Sequence, residues 1–351
     1  MNNAEIIDGG MTAMPLSDTR DEVSNISNLF QHYNFDDAIK NVKDKMEPSR
    51  VKHILLIGSG DSYALALLYA ARYNYLLGLP VKTSQSWEFI KENSQYLDET
   101  WLVIVLSASG RPSPVVDALI KAQQSTAQVI GISNTGTSFF SVRAQMLITT
   151  GATKSGMPTQ STIGAALCLD TIGCCLSGYY RQQWKAESER LRHFFHYQPS
   201  ISRVSWIRQF VRQLSSHKVT ILGSGEDFGL AMLFSNLLWC GPQIPNQVLL
   251  LEEYQHALRL NQASVGDLVV IFECTDNTTV LTEQITQKLT SKKVPVRYIN
   301  HELLSMITGE NKIPFSSEEN CRYYAMMLIF NLIISSTEYY LSCGGYRVSL
   351  E

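Results

Sequence analysis

The feature that most limits what this chain can become is a short turn that occurs twice. Gly58-Ser59-Gly60-Asp61-Ser62 lies between the apolar run His53 to Ile57 and the helical run Tyr63 to Leu77. A strand that ends in small residues and turns directly into a helix leaves backbone N–H groups aimed above the turn, which makes an anion site. Ile221-Leu222-Gly223-Ser224-Gly225-Glu226-Asp227 repeats the arrangement, with Gly223 standing 165 residues after Gly58. At that spacing Ser59, Gly60, Ala66, Pro80 and Glu88 fall on Ser224, Gly225, Ala231, Pro245 and Glu253, and Asp61, Tyr63 and Phe89 fall on Glu226, Phe228 and Tyr254. The chain is an internal duplication of one α/β unit.

With 351 residues and 45% hydrophobic content there is material for two ordinary cores, and the repeat assigns one to each half. Met1 to about Ser24 shows no periodicity and reads as a mobile or partner-draped arm. The spacing of Ile26, Leu29, Phe30 and Tyr33, and then of Phe35, Ala38, Ile39 and Val42, predicts one or two lead-in helices that end near Pro48. In the first half, strands are expected at His53–Ile57, Val81–Ser84, Trp101–Leu106, Gln128–Ser133 and Met146–Thr149. Helices are expected at Ser62–Leu77, Trp87–Asn93, Pro114–Gln124 and near Phe139–Gln145. A helix over Ile163–Tyr180 closes the half, and the charged segment Arg181–Arg192 with a helix at Ile201–Ser215 forms a linker.

The second half reads as strands Val219–Leu222, Gln247–Leu250, Leu268–Phe272 and Val296–Ile299. Its helices are Asp227–Cys240, Glu252–Leu260, Val280–Leu289 and Tyr323–Leu341. Apolar strands alternating with helices mean parallel sheets covered on both faces, so the fold class is α/β with two tandem doubly wound, flavodoxin-like domains. The expected division is an N-terminal arm with helices over 1–48, a first domain over 49–198, a second over 199–341 and a tail over 342–351.

A formal net charge of −3 argues against a nucleic-acid or anionic-membrane surface built on bulk charge, and a small-molecule partner is expected. The seven cysteines are odd in number and show no paired C-x-x-C spacing, which points to reduced thiols and a cytoplasmic location and away from zinc. No signal-peptide pattern is read at the N-terminus. The long apolar runs Ile163 to Tyr180 and Tyr323 to Leu341 are interrupted by Asp170 and by Asn331 and Glu338, so buried helices are expected there. His53, His193, His196 and His217 lack metal spacing and are assigned no function.

The loop Ser107-Ala108-Ser109-Gly110-Arg111-Pro112-Ser113 offers three hydroxyls, a flexible glycine and successive N–H groups where a strand opens into a helix. Arg111 adds a charge able to bind an anion through two hydrogen bonds. The plainer reading is an ordinary strand-to-helix turn with a serine N-cap.

G-S-G-D-S after one strand, S-x-S-G after a later one, and Gly156-Met157-Pro158-Thr159 before a long helix together resemble the sugar isomerase (SIS) domain. The duplicated arrangement looks like the isomerase part of glucosamine-6-phosphate synthase and the fructosamine-type 6-phosphate deglycases, over about residues 25 to 351. No amidotransferase portion is expected. The resemblance implies phosphate binding by Ser107, Ser109, Gly110, Ser113, Ser62, Gly60 and Ser59, and a substrate pocket that includes Cys240, Thr159, Arg111 and Tyr346. The family usually has Thr two residues after the loop glycine, where this chain has Pro112. The second half has Phe272-Glu273-Cys274-Thr275-Asp276 in place of S-x-S-G, so it is expected to bind no phosphate and to support a dimer.

The resemblance also implies a catalytic His within a Glu-x-x-His segment that reaches the neighbouring subunit's site, which matches His256 after Glu253 in Glu252-Glu253-Tyr254-Gln255-His256. The family's glutamate base, sixteen residues earlier, falls on Cys240. A thiol with an ordinary pKa near 8.5 is a poor base at pH 7. Cys240 is then a buried helix cysteine without a role, an activated thiolate, or a pocket residue beside a base moved to Glu252, Glu253 or His256. His256 suits acid/base work because an imidazole titrates near working pH. The C-terminal lysine of synthase-like relatives falls on Tyr346, and Cys343-Gly344-Gly345-Tyr346 looks more like the deglycase tails.

The implied activity is binding of a hexose or aminosugar 6-phosphate and its isomerisation, deamination or deglycation without a cofactor, in a homodimer with a shared site. The competing reading is a sugar-phosphate sensor or regulatory protein that has lost the catalytic Glu.

Overall fold

The computed structural model describes residues 16–197, 205–256, 259–274, 279–308 and 321–343. Three helices lead in: α1 (Leu16–Ser24), α2 (Ile26–His32) and α3 (Phe35–Lys43). The first half then runs β1 (His53–Gly58), α4 (Asp61–Leu77), β2 (Val81–Gln85), α5 (Ser86–Lys91), β3 (Trp101–Ser107), α6 (Pro114–Ala122), β4 (Gln128–Ser133) and β5 (Leu147–Thr149). Helices α7 (Gln160–Leu176), α8 (Gly178–Tyr197) and α9 (Ser205–Ser216) lead to β6 (Lys218–Gly223), α10 (Gly225–Cys240), β7 (Asn246–Leu250) and α11 (Leu251–Gln255). The chain continues through α12 (Arg259–Gln262), β8 (Asp267–Glu273), α13 (Thr279–Ser291), β9 (Val296–Asn300), α14 (His301–Thr308) and α15 (Arg322–Ser342).

Both sheets are parallel, in the orders β2-β1-β3-β4-β5 and β7-β6-β8-β9, which is one winding scheme used twice. The central strands β1, β3, β6 and β8 are buried along nearly their whole length, as unbroken apolar runs require. Each sheet has a separate apolar cluster on one face, around Leu55, Val103 and Phe140 in the first half and around Leu222, Ile271 and Leu289 in the second. The other faces share one core that runs through both halves. Helices α4 and α10, the two that follow the repeated turn, pack directly against each other there. At the crossing, a Cβ on Gly229 would stand 2.5 Å from the Leu68 backbone nitrogen, so only glycine permits the approach.

Three expectations need correction. Residues 16–24 form a helix rather than a mobile arm, with Thr19 and Glu22 buried; residues 1–15 lie outside the described residues. The segment Arg181–Arg192 is the middle of α8 rather than a linker, because Trp184, Glu187 and Leu191 turn one face into the core; the helix expected over Ile163–Tyr180 breaks at Ser177. Helix α14 was not anticipated. The boundary placed near Pro199 lies outside the described residues.

A fully buried ion pair joins the halves. The Arg322 guanidinium, at the start of α15, donates to both carboxylate oxygens of Asp170 on α7, at 2.8 and 2.7 Å, and to Glu187 on α8 at 3.0 Å. The hydroxyls of Tyr69, Tyr180 and Tyr323 donate to the same Asp170 carboxylate at 3.0, 2.6 and 2.6 Å. Arg72 on α4 donates to the Tyr180 hydroxyl at 3.0 Å and stands 3.7 Å from Glu226 on α10. Three carboxyls thus face two guanidiniums, and burial pushes Glu187 up to about 8.

Replacing one partner of such a pair leaves an uncompensated charge in the core. Arg322→Met is expected to cost roughly 3–5 kcal/mol in urea unfolding, and Arg322→Met combined with Asp170→Asn to recover part of that loss. Equal stability of wild type and the single variant would show that the network does not join the halves.

Candidate functional site

Five of the serines singled out in the sequence line one cavity of about 250 Å³. Ser59 and Ser62 come from the turn between β1 and α4, and Ser107, Ser109 and Ser113 from the loop between β3 and α6. In a parallel sheet ordered in this way, the carboxyl ends of neighbouring strands β1 and β3 open onto one crevice, which is why residues 45 or more positions apart converge. Among the described residues, Ser62, Ser107 and Ser113 make no hydrogen bond through their hydroxyls. Ser113 precedes α6 yet caps no N–H with its side chain, so its hydroxyl remains available to a ligand and the plain-turn reading accounts for less of the loop. The Ser59 hydroxyl pairs with Ser86, and Ser109 Oγ accepts the Arg111 N–H at 3.5 Å.

The two loop glycines serve conformation. Gly60, with φ +56°, turns the chain into α4, and Gly110, with φ +60°, adopts a left-handed conformation where a Cβ would also fall 2.0 Å from Ser138 Oγ. Neither lines the cavity, and Arg111 is exposed beside it.

Two charged residues that the sequence reading did not assign to it also line the cavity: Asp61 and Lys154. Asp61 Oδ1 is buried and has no hydrogen-bond partner. Burial pushes its carboxyl up to about 6, with the Asn236 amide and the Lys154 charge pulling it back in part. Burial and the charge of Arg111 hold the Lys154 ammonium below the ordinary lysine range, against the opposing pull of Asp61, Glu22 and Cys240. The sequence signal for Lys154 was slight: it is the one charged residue in the small polar loop Gly151–Thr162.

That loop is held by α1. Glu22 Oε1 accepts the N–H groups of Ser155 and Gly156 at 2.6 and 2.8 Å, Glu22 Oε2 accepts the Thr159 hydroxyl at 3.1 Å, and Thr19 Oγ1 accepts the Met157 N–H at 3.0 Å. Thr159 is therefore turned to Glu22 rather than to the cavity. A helix that shows no long-range signal in its own sequence sets the position of Lys154's loop.

The remaining candidates lie elsewhere. Glu252, Glu253 and His256 sit at the carboxyl end of β7, in and just after α11. Their side chains are 78%, 52% and 71% exposed, and none lines the cavity of its own chain. Arg259 donates to Glu253 at 2.6 Å and holds its carboxyl below the usual range; His256 Nε2 is 3.6 Å from Glu252 Oε1. Cys240 ends α10 and is exposed rather than buried. Its surroundings, through desolvation and then the Asp61 charge, push the thiol up, which opposes the activated-thiolate reading. Tyr346 lies outside the described residues. A larger groove of about 570 Å³ runs past Trp239, Asn246 and Gln247 in the second half, but none of the predicted site residues lines it.

The second turn carries a carboxylate where the first has a hydroxyl. Ile57 pairs with Val105, and Leu222 with Ile271, so Asp227 corresponds to Ser62 and Cys274 to Ala108. Both carboxylate oxygens of Asp227 lie 3.0 Å from the Cys274 N–H, which donates to them. In the second half this backbone N–H is thus satisfied by a carboxylate of the chain itself.

The comparisons with known proteins bear on the first half most directly. Residues 49–169 match the model of the SIS domain. Solved structures with this fold include three that extend over nearly the whole chain. The C-terminal domain of glucosamine-fructose-6-phosphate aminotransferase from Francisella tularensis is 15% identical, with 96% of this chain and 97% of that one covered and a TM-score of 0.73. Glucosamine-6-phosphate deaminase from Thermotoga maritima is 18% identical, with 94% of each chain covered and a TM-score of 0.69. Tagatose-6-phosphate ketose/aldose isomerase from Escherichia coli is 14% identical, with 95% and 96% covered and a TM-score of 0.68. At these identities the likeness is one of fold. No curated protein matches the sequence. The SIS match spans β1 through most of α7 and so contains every residue that lines the cavity.

Because the native state holds the Asp61 proton more tightly than the unfolded chain does, its ionisation costs stability as pH rises from about 4 through about 6. Asp61→Asn removes that cost, and is expected to raise stability at pH 8 by about 1–3 kcal/mol, with the gain shrinking to nothing below pH 4. Urea melts at the two pH values read the difference; a gain independent of pH would mean that Asp61 is not a buried titrating carboxyl.

Proposed function

We propose that the cavity binds the phosphate of a hexose or aminosugar 6-phosphate and that the protein isomerises, deaminates or deglycates that sugar by acid/base chemistry. The observation that carries this reading is the convergence of the Ser62, Ser107 and Ser113 hydroxyls on one cavity at the amino end of α4. The position equivalent to Ser62 in the second half already holds a carboxylate on a backbone N–H. Hydroxyls and N–H groups at a helix start suit a phosphate dianion, which accepts several hydrogen bonds at once. The SIS match over residues 49–169 supports the same ligand class.

In this reading the protein acts as a homodimer. Glu253 and His256 lie exposed on the second half, away from the cavity of their own chain, and a partner's copy would complete the site. Sedimentation equilibrium is expected to give a dimer.

A second reading is favoured by Cys240, since a thiol pushed upward cannot serve as the carboxylate base that the resemblance places there. The protein is then a sensor that binds the sugar phosphate without turning it over. An NMR time course with glucose, fructose, glucosamine and fructosamine-type 6-phosphates separates the two: product resonances support the enzyme, and binding without product supports the sensor.

Ser107→Ala and Ser109→Ala are each expected to weaken affinity for fructose 6-phosphate about tenfold by calorimetry, the scale of one hydrogen bond to a charged group. Ser224→Ala, in the second turn, leaves affinity unchanged. If neither first-half variant weakens binding, the β3–α6 loop does not hold the phosphate.

A further inference from the structure

Asp61 is a carboxyl that the phosphate reading does not use and that phosphate binding alone would disfavour. It lines the cavity next to Ser62, yet its charge has the same sign as the ligand's. Its Oδ1 is shut away from water with no hydrogen-bond donor. Such a group costs stability, and buried acids of this kind concentrate where protons are moved.

The duplication provides a control inside the molecule. Glu226 holds Asp61's place in the second turn and has a different neighbour: its Oε1 stands 3.7 Å from Arg72 in the buried network, while its Oε2, like Asp61 Oδ1, has no hydrogen-bond partner. Asp61 has no ion-pair partner within 4 Å among the described residues. The charged and titratable groups around it are Lys154 from the loop before α7 and Cys240 from the end of α10, with Asn236 one turn back. Beyond Lys154 stand Arg111 from the β3–α6 loop and Glu22 from α1. Of these, Asp61 and Lys154 line the cavity. The same position thus stands beside a guanidinium in one half and lines a cavity together with an amine in the other.

We infer that Asp61 is a catalytic residue that carries a proton between C1 and C2 of an open-chain hexose 6-phosphate, with Lys154 exchanging a proton with the sugar's carbonyl and hydroxyl oxygens. The inference rests on the phosphate reading of the cavity. With a ketose, the Asp61 carboxylate takes a proton from C1, and the electron pair of that C–H bond forms the C1=C2 double bond. The carbonyl pair moves onto O2, which takes a proton from the Lys154 ammonium. The Lys154 amine then removes the O1 hydroxyl proton, C1=O1 forms, and the C1=C2 pair takes the Asp61 proton at C2. Both side chains finish as they began, and no oxidant or reductant is needed. A carboxyl near 6 and an ammonium held below its ordinary range suit proton transfer in both directions near neutral pH. The carboxylate that a thiol at position 240 cannot supply comes from α4 instead.

The test follows fructose 6-phosphate and glucose 6-phosphate in D2O by proton NMR, with inorganic phosphate affinity measured by calorimetry on the same samples. Wild type is expected to exchange deuterium into C1 of the ketose or C2 of the aldose. Asp61→Asn lowers that rate by about 100-fold or more, with phosphate affinity kept or tightened because the like charge is gone. Lys154→Met lowers it as well. The wild-type rate rises with pH through an apparent pKa close to 6, and Asp61→Glu retains exchange with a displaced profile.

Exchange by Asp61→Asn at the wild-type rate overturns the inference, and so does sugar-phosphate binding by wild type with no exchange in either sugar. If Asp61→Asn fails to bind phosphate, Asp61→Glu decides, and a pH profile identical to that of wild type rejects Asp61. Absence of phosphate affinity in wild type and in Asp61→Asn alike removes the phosphate reading itself, a failure distinct from the others.

Discussion

The pairing of Arg322 with Asp170 in the shared core is the interaction on which the arrangement of the two halves depends. Two opposite charges with no solvent exposure on either side chain are stable only if each is nearly saturated with hydrogen bonds, because desolvation costs several kcal/mol per ion. The core meets that condition by drawing donors from three separate helices, with Tyr69 on α4, Tyr180 on α8, and Arg322 and Tyr323 on α15 all directed at the Asp170 carboxylate on α7. Such a network constrains position as much as it contributes energy. A displacement of any one helix leaves a buried charge short of a partner, so α4 is held in a fixed place, and with it the turn that begins at Gly58.

That rigidity matters because the candidate site is an assembly of segment ends. The cavity takes its wall from the start of α4, from the β3–α6 loop and from the loop before α7, and each is tied down by a different contact. The first is fixed by the α4–α10 packing at Gly229, and the second by the positive φ of Gly110 under Ser138. The third is fixed by Glu22 and Thr19 of α1, which accept four hydrogen bonds from residues 155–159. Sites held in this way hold donors ready for a ligand with little reorganisation on binding.

The duplication also shows how one turn can be put to two uses. In the second half the Asp227 carboxylate accepts the Cys274 N–H, and Glu226 next to it stands 3.7 Å from Arg72. In the first half Ser62 and Asp61 occupy those places and face the cavity.

The two parallel sheets, their strand order and the serine loops were legible in the sequence, because unbroken apolar runs, period-3.6 stretches and Gly-Ser turns are local signals that need no partner to be read. The SIS resemblance implied a common ligand for Ser59, Ser62, Ser107, Ser109 and Ser113, and the order of the strands supplies the reason they converge. Other features had no local signal. Residues 16–24 carry too few apolar residues to announce a helix, and their order comes from burial of Thr19 and Glu22 against a loop more than 130 positions away. Asp170 read as an interruption in an apolar helix, and Arg322 stood just outside the helix expected from Tyr323, until the fold set them face to face. Asp61 was visible as a letter in the turn, and Lys154 as a lone charge in a polar loop. Only the tertiary structure placed them, half-buried, in one cavity, because desolvation and Coulomb coupling depend on distances in space rather than on position along the chain.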